Sequence, residues 1–154
     1  MAFTTLVGAN GSDVTSFIGT DGSDSLNAAN IDTASYVGAR KSGDTITVST
    51  NTSATTIKGG EGADTLDTRS TSATLTNSFI NLNKDNDILD LGALVNSTVM
   101  GGSGSDNVFI TELRGGKYNG NKGNDTTTVN GATDTFVYSG QGDDVSTLAG
   151  TISG

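Results

Sequence analysis

The chain has 154 residues, a net charge of −9 and neither histidine nor cysteine. This composition excludes a disulfide framework and removes His- and Cys-based catalysis, and without a basic cluster the chain is a poor partner for nucleic acid or anionic membranes. Leu, Ile, Val and Phe supply only about a fifth of the residues, too few for one thick core, and no stretch nears the roughly 20 apolar residues of a membrane helix.

In chain order, aspartates close eight related loops, ending at Asp13, Asp24, Asp44, Asp64, Asp87, Asp106, Asp125 and Asp144. From Asp24 onward they recur every 19 to 23 residues. The residue seven before each is Leu6, Phe17, Val37, Ile57, Ile80, Val99, Tyr118 or Val137, all apolar. Nine before stand Thr4, Thr15, Ser35, Thr55, Ser78, Ser97, Gly116 and Thr135, all small. Positions two apart share one face of a strand, so a strand enters each loop. Two and four residues beyond the aspartates come Leu26 and Ala28, Ile46 and Val48, Leu66 and Thr68, Leu89 and Leu91, Val108 and Ile110, Thr127 and Val129, then Ser146 and Leu148. A second strand therefore leaves each loop.

Two strands and two turns per period predict an all-β fold: a parallel β-solenoid of two sheets with a thin core, spanning 1–154 as one domain. A stack of β-hairpins in an antiparallel sandwich is the alternative, but it gives no reason for matched residues at one offset eight times. Asp13 and Asp24 are only 11 residues apart, so 1–18 are expected to form a half coil or a strand donated to a neighbouring subunit.

The cleanest loops are Gly59-Gly60-Glu61-Gly62-Ala63-Asp64-Thr65-Leu66 and Gly101-Gly102-Ser103-Gly104-Ser105-Asp106-Asn107-Val108, which follow G-G-x-G-x-D-x-U with U a large apolar residue. In this the chain resembles the RTX, or haemolysin-type, calcium-binding repeats. The resemblance implies Ca²⁺ held between loops of adjacent coils, with carboxylates from Asp64, Asp106, Asp125 and Asp144, and from Asp24, Asp87 and Asp13 in looser copies. It assigns backbone carbonyls to Gly59, Glu61, Gly101 and Ser103. Asp and carbonyl oxygens are hard donors of the kind Ca²⁺ takes. The alternative is that these aspartates only tie turns through backbone N–H groups. Arg40 and Lys41 place positive charge in the loop ending at Asp44, where the calcium column is expected to break; solvent-facing side chains are their simpler role. At Asp87, Asn83 and Asp85 replace glycines and tolerate left-handed backbone.

The resemblance further implies export without an N-terminal signal, by type I secretion, to an extracellular or cell-surface location, where calcium triggers folding. No catalytic motif emerges, so no enzyme is expected. Outward positions of the entering strands carry Ile18, Tyr36, Phe79, Met100, Phe136 and Tyr138, a stripe suited to assembly, whereas the outer face of the leaving strands is mostly polar, with Phe109 as the exception. The sequence starts and stops inside the repeat, as a fragment of a longer repeat protein also would. The expectation is a secreted structural protein forming head-to-tail homo-oligomeric filaments or a surface layer, with adhesion to a cell-surface polysaccharide as the alternative and ice binding disfavoured.

Overall fold

The structure, a computed structural model, describes residues 4–7, 15–28, 31, 34–150 and 152–153. Its strands are β1 (Thr4–Val7), β2 (Thr15–Ile18), β3 (Ser25–Ala28), β4 (Tyr36–Lys41), β5 (Thr45–Val48), β6 (Thr52–Ser53), β7 (Thr56–Glu61), β8 (Thr65–Asp67), β9 (Thr74–Thr76) and β10 (Phe79–Lys84). They continue as β11 (Ile88–Val95), β12 (Thr98–Ser103), β13 (Asn107–Arg114), β14 (Lys117–Lys122), β15 (Thr126–Val129), β16 (Ala132–Thr133), β17 (Phe136–Tyr138), β18 (Val145–Leu148) and β19 (Ile152–Ser153). No helix occurs among the described residues.

The chain winds into a β-solenoid of about seven coils. Strands entering the aspartate loops form one sheet in the order β1-β2-β4-β7-β10-β12-β14-β17, and strands leaving them form the other along β18-β15-β13-β11-β8-β5-β3. Among the described strands every pairing is parallel except β1 with β2, whose register is antiparallel. The first strand thus closes against its own chain and is not a further parallel rung. Asp13 lies outside the described residues.

Parallel stacking sets each residue over its equivalent at a rise of roughly 4.8 Å. Phe17, Val37, Ile57, Ile80, Val99, Tyr118 and Val137 are consecutive register partners. The five inner members are fully buried, and Phe17 and Val137 pack partly against the core. From the facing sheet, Ile46, Val48, Leu66, Leu89, Leu91, Val108, Ile110 and Val129 complete a narrow filling. A polar contact also crosses it, where the Thr127 hydroxyl donates to the Tyr118 hydroxyl at 2.9 Å.

A third column lies farther from the loops. Thr52, Leu75, Leu94, Leu113 and Ala132 stand twelve residues before successive aspartates and are buried on β6, β9, β11, β13 and β16. The short β6, β9 and β16 extend the second sheet by pairing in parallel with one another or with the far halves of the longer β11 and β13. The following corner uses left-handed backbone at Ala34, Ala54, Asn77, Asn96, Gly115 and Asp134, ten residues before each aspartate. The long coil from Asp64 to Asp87 places its extra residues in a turn at 69–72, closed by Ser72 N–H to Arg69 C=O and Ala73 N–H to Thr68 C=O. Arg69 from that turn pairs with Asp90 and lies 4.2 Å from the centroid of the Phe109 ring.

On the outer face of the first sheet the apolar residues are interrupted. Lys58 and Asn81 lie between Ile18 and Met100, and Lys117 precedes Phe136 in its column. The outer face of the second sheet also presents Ile88 and Val145, beyond the expected Phe109. The alternation is testable on one strand. Ile110→Ala should cost about 2–5 kcal/mol by leaving a cavity, whereas exposed Thr111→Ala should stay within about 0.5 kcal/mol, both read from urea denaturation.

Candidate metal and charge column

At the six loops from Asp44 to Asp144 the backbone turns through two left-handed residues, four and two before the aspartate; in the Asp24 loop Thr20 and Gly22 are not left-handed. Glycine supplies both at Gly60 and Gly62 and at Gly102 and Gly104, where φ lies between 117° and 129°. Arg40, Ser42, Asn83, Asp85 and Asn121 adopt the same hand at φ between 68° and 93°. The two loops that depart most from the glycine pattern therefore keep its geometry.

This corner interrupts the regular ladder, and the aspartate repairs it. The N–H of Asp24 donates to Oδ1 of Asp44 at 2.7 Å, Asp44 to Asp64 at 2.8 Å and Asp64 to Asp87 at 2.8 Å. Asp87 donates to Asp106, Asp106 to Asp125 and Asp125 to Asp144, each at 2.9 Å. One carboxylate oxygen of each coil thus holds the amide of the coil before it, and Asp44 belongs to this ladder as fully as its neighbours. Seven of the eight expected aspartates stand in a single column.

The second oxygen is different. Oδ2 of Asp44, Asp64, Asp87, Asp106 and Asp125 is buried without a hydrogen-bond partner. Burial disfavours the anion and neighbouring carboxylates add to the effect. Desolvation, above all, lifts Asp87 to about 8 and Asp64 and Asp106 to about 6, with Asp44 and Asp125 also raised. Asp24 is instead lowered, because the Thr20 backbone N–H and hydroxyl donate to its Oδ2.

The residue five before the aspartate decides what surrounds Oδ2. At Gly59, Gly101 and Gly120, a Cβ would strike Oδ2 of Asp64, Asp106 and Asp125 respectively, and would crowd the next coil's carbonyl at Leu82, Gly120 and Ser139. Glycine thus lets a carboxylate oxygen and a backbone carbonyl share one small space. Ala39 and Leu82 fill the equivalent position before Asp44 and Asp87. At the fourth glycine of this kind, Gly19, Thr20 already donates to Oδ2 of Asp24; a hard cation suits the other three glycine-backed positions, where every donor is oxygen. Among the described residues no three acidic side chains converge, so an ion there would take one column carboxylate and complete its shell from backbone carbonyls. Glu61 and Ser103, two residues beyond Gly59 and Gly101, lie at the rim, both in register with Lys84.

Glu61 accepts from Lys84 Nζ at 2.8 Å, and Lys41 lies 3.8 Å from Asp21. The third loop position therefore reads Asp21, Lys41, Glu61, Lys84 along the stack, with alternating sign. Lys41 and Arg40 are solvent-facing, their simpler expected role. At the opposite corner, hydroxyls replace the carboxylates as amide acceptors. There Thr55 N–H donates to Ser78 Oγ at 3.2 Å and Ser78 N–H to Ser97 Oγ at 3.0 Å. Sequence reading found these small residues but not this use of them.

Two outcomes follow from the column. Asp106→Ala should strand the Asp87 amide at a cost of about 1–3 kcal/mol, while Asp106→Asn, which keeps an acceptor, should cost less in chelated buffer; urea denaturation compares them. The raised groups bind protons in the native chain that the unfolded chain, with aspartate near 3.8, has released. Stability in chelated buffer should therefore fall as pH rises from about 4 through about 8, seen as a declining Tm. No family model, curated protein or solved structure matches the chain, so its own residues carry the assignment of this column.

Proposed function

We propose that the chain is an extracellular structural protein, a β-solenoid whose acidic corners are neutralised by Ca²⁺ and which associates end to end into filaments or a surface layer. The observation that carries this reading is the contrast between the two corners. Neutral serine hydroxyls, Ser78 and Ser97, satisfy backbone amides at one, so the fold needs no charge to close a bend. At the other, the amides are held by carboxylates whose second oxygens are buried without partners. Carboxylates about 5 Å apart repel by roughly 1 kcal/mol per pair even at water's dielectric. A divalent cation beside Asp64, Asp106 and Asp125 would turn that repulsion into cohesion between coils.

End-to-end association is supported by the rung formed by β17 and β18. Leu148 is 47% exposed although its register partner Val129 is fully buried, and Phe136 is 81% exposed. A second copy stacked head to tail would lay its β3 over β18 as a further parallel rung and cover Leu148, while its β1 would meet β17 in the antiparallel sense.

Electron microscopy and thermal unfolding of the purified chain, with calcium and after chelation, test the proposal. Filaments and a Tm raised by about 10 °C or more are expected with calcium, and Asp106→Asn should lose a substantial part of that gain. Equal Tm in both buffers, with monomers throughout, would refute it.

A further inference from the structure

We propose that a groove on the outer face of the first sheet binds an acidic polysaccharide. The groove crosses β2, β4, β7 and β10, has a volume of about 330 Å³, and is lined by Ile18, Tyr36, Gly38, Arg40, Lys58 and Asn83. Its origin is a missing side chain. In the outward column Ile18, Gly38, Lys58 and Asn81 are successive register partners, and glycine leaves a gap between two longer neighbours. The Tyr36 ring occupies part of that gap: a Cβ on Gly38 would lie 2.8 Å from its Cε1 and 2.9 Å from its hydroxyl. An aromatic ring held along the sheet is a platform for the apolar face of a sugar, with its hydroxyl available for hydrogen bonding.

Charge selects the kind of sugar. The chain carries −9 overall, yet the groove is lined by two cations and no acid. Lys41, Arg69, Lys84 and Arg114 are engaged in ion pairs. Among the described residues Arg40 and Lys58, like Lys117 and Lys122 outside the groove, form none, and both groove cations are exposed. Asn83 adds an amide at the far side. Carboxylate or sulfate groups would pair with the two cations while the ring stacks on Tyr36. A polymer fits better than an isolated sugar, because the groove runs across rungs spaced roughly 4.8 Å apart, close to the repeat of an extended sugar chain.

The repeat supplies substitutions that the fold already accepts. Asn83 and Asn121 occupy Arg40's column with φ of 77° and 75°, Asn81 and Asn119 occupy that of Lys58, and Thr56 and Thr98 that of Tyr36. Affinity electrophoresis at one fixed calcium concentration would compare polygalacturonate, heparin and neutral dextran. Wild type should be retarded by an acidic polymer and not by dextran, the carboxylated and sulfated gels showing which group is recognised. Arg40→Asn with Lys58→Asn should weaken binding at least tenfold, Tyr36→Thr should weaken it less, and Lys117→Thr, outside the groove, should leave it unchanged. Failure of both acidic polymers to retard wild type, or equal retardation of the double variant, would overturn the proposal.

Discussion

The stack depends on what happens to backbone amides where the chain turns. Along a parallel strand each N–H meets a carbonyl of the neighbouring coil, but at a corner that register breaks and a buried amide is left without its regular acceptor. Leaving such groups unpaired in every coil would cost more than a small domain's stability. Side chains carry the ladder around both bends: Asp44 through Asp144 at the loop, Ser78 and Ser97 opposite. The aspartate carbonyls join in, since Thr65 N–H donates to Asp44 C=O and Thr126 N–H to Asp106 C=O, each at 2.8 Å. Polar corners therefore hold together a molecule whose core is only a few columns of side chains wide.

This arrangement accounts for where the sequence is strict and where it is free. An aspartate is required at the loop corner because its short side chain reaches the preceding coil's amide from the turn. Glycine five residues earlier is required only where the second carboxylate oxygen needs the space, and Leu82 shows that an apolar side chain can enter the core there instead. Left-handed corners accept arginine, serine, asparagine or aspartate at φ near 70° to 90°, so loop glycines are replaceable without loss of the turn. Extra residues between corners are tolerated when they leave the sheet, as the turn at 69–72 does.

The coil, the inward columns and the aspartate column were legible because each lies at a fixed offset from a recognisable loop. Val37, Ile57, Ile80, Val99 and Tyr118 were found by counting back seven residues, and burial follows that count. Leu75, Leu94 and Leu113 keep a fixed offset of twelve before an aspartate, but their column is chemically mixed, with Thr52 and Ala132 among its members, and counted forward from the preceding aspartate it slips. Leu94 and Leu113 lie seven residues after an aspartate, and Leu75 lies eleven after. The opposite corner was hidden by its chemistry, as alanine, asparagine, glycine and aspartate share a backbone conformation there rather than a side-chain type. Aspartates that tie turns and aspartates that bind cations leave the same trace in a sequence; here one oxygen does the first while the other lacks a partner. The antiparallel pairing of β1 was foreshadowed only by the 11-residue interval between Asp13 and Asp24.

Near-identical rungs carry a risk of their own: a strand that skips a neighbour finds almost the same apolar partner one layer on. The alternating charges of Asp21, Lys41, Glu61 and Lys84 work against this error. If a rung were omitted, Lys41 would face Lys84 and Asp21 would face Glu61, so the wrong order is penalised by repulsion on the surface before the interior can tell the two apart. Surface charge thereby proofreads the winding of this part of the chain.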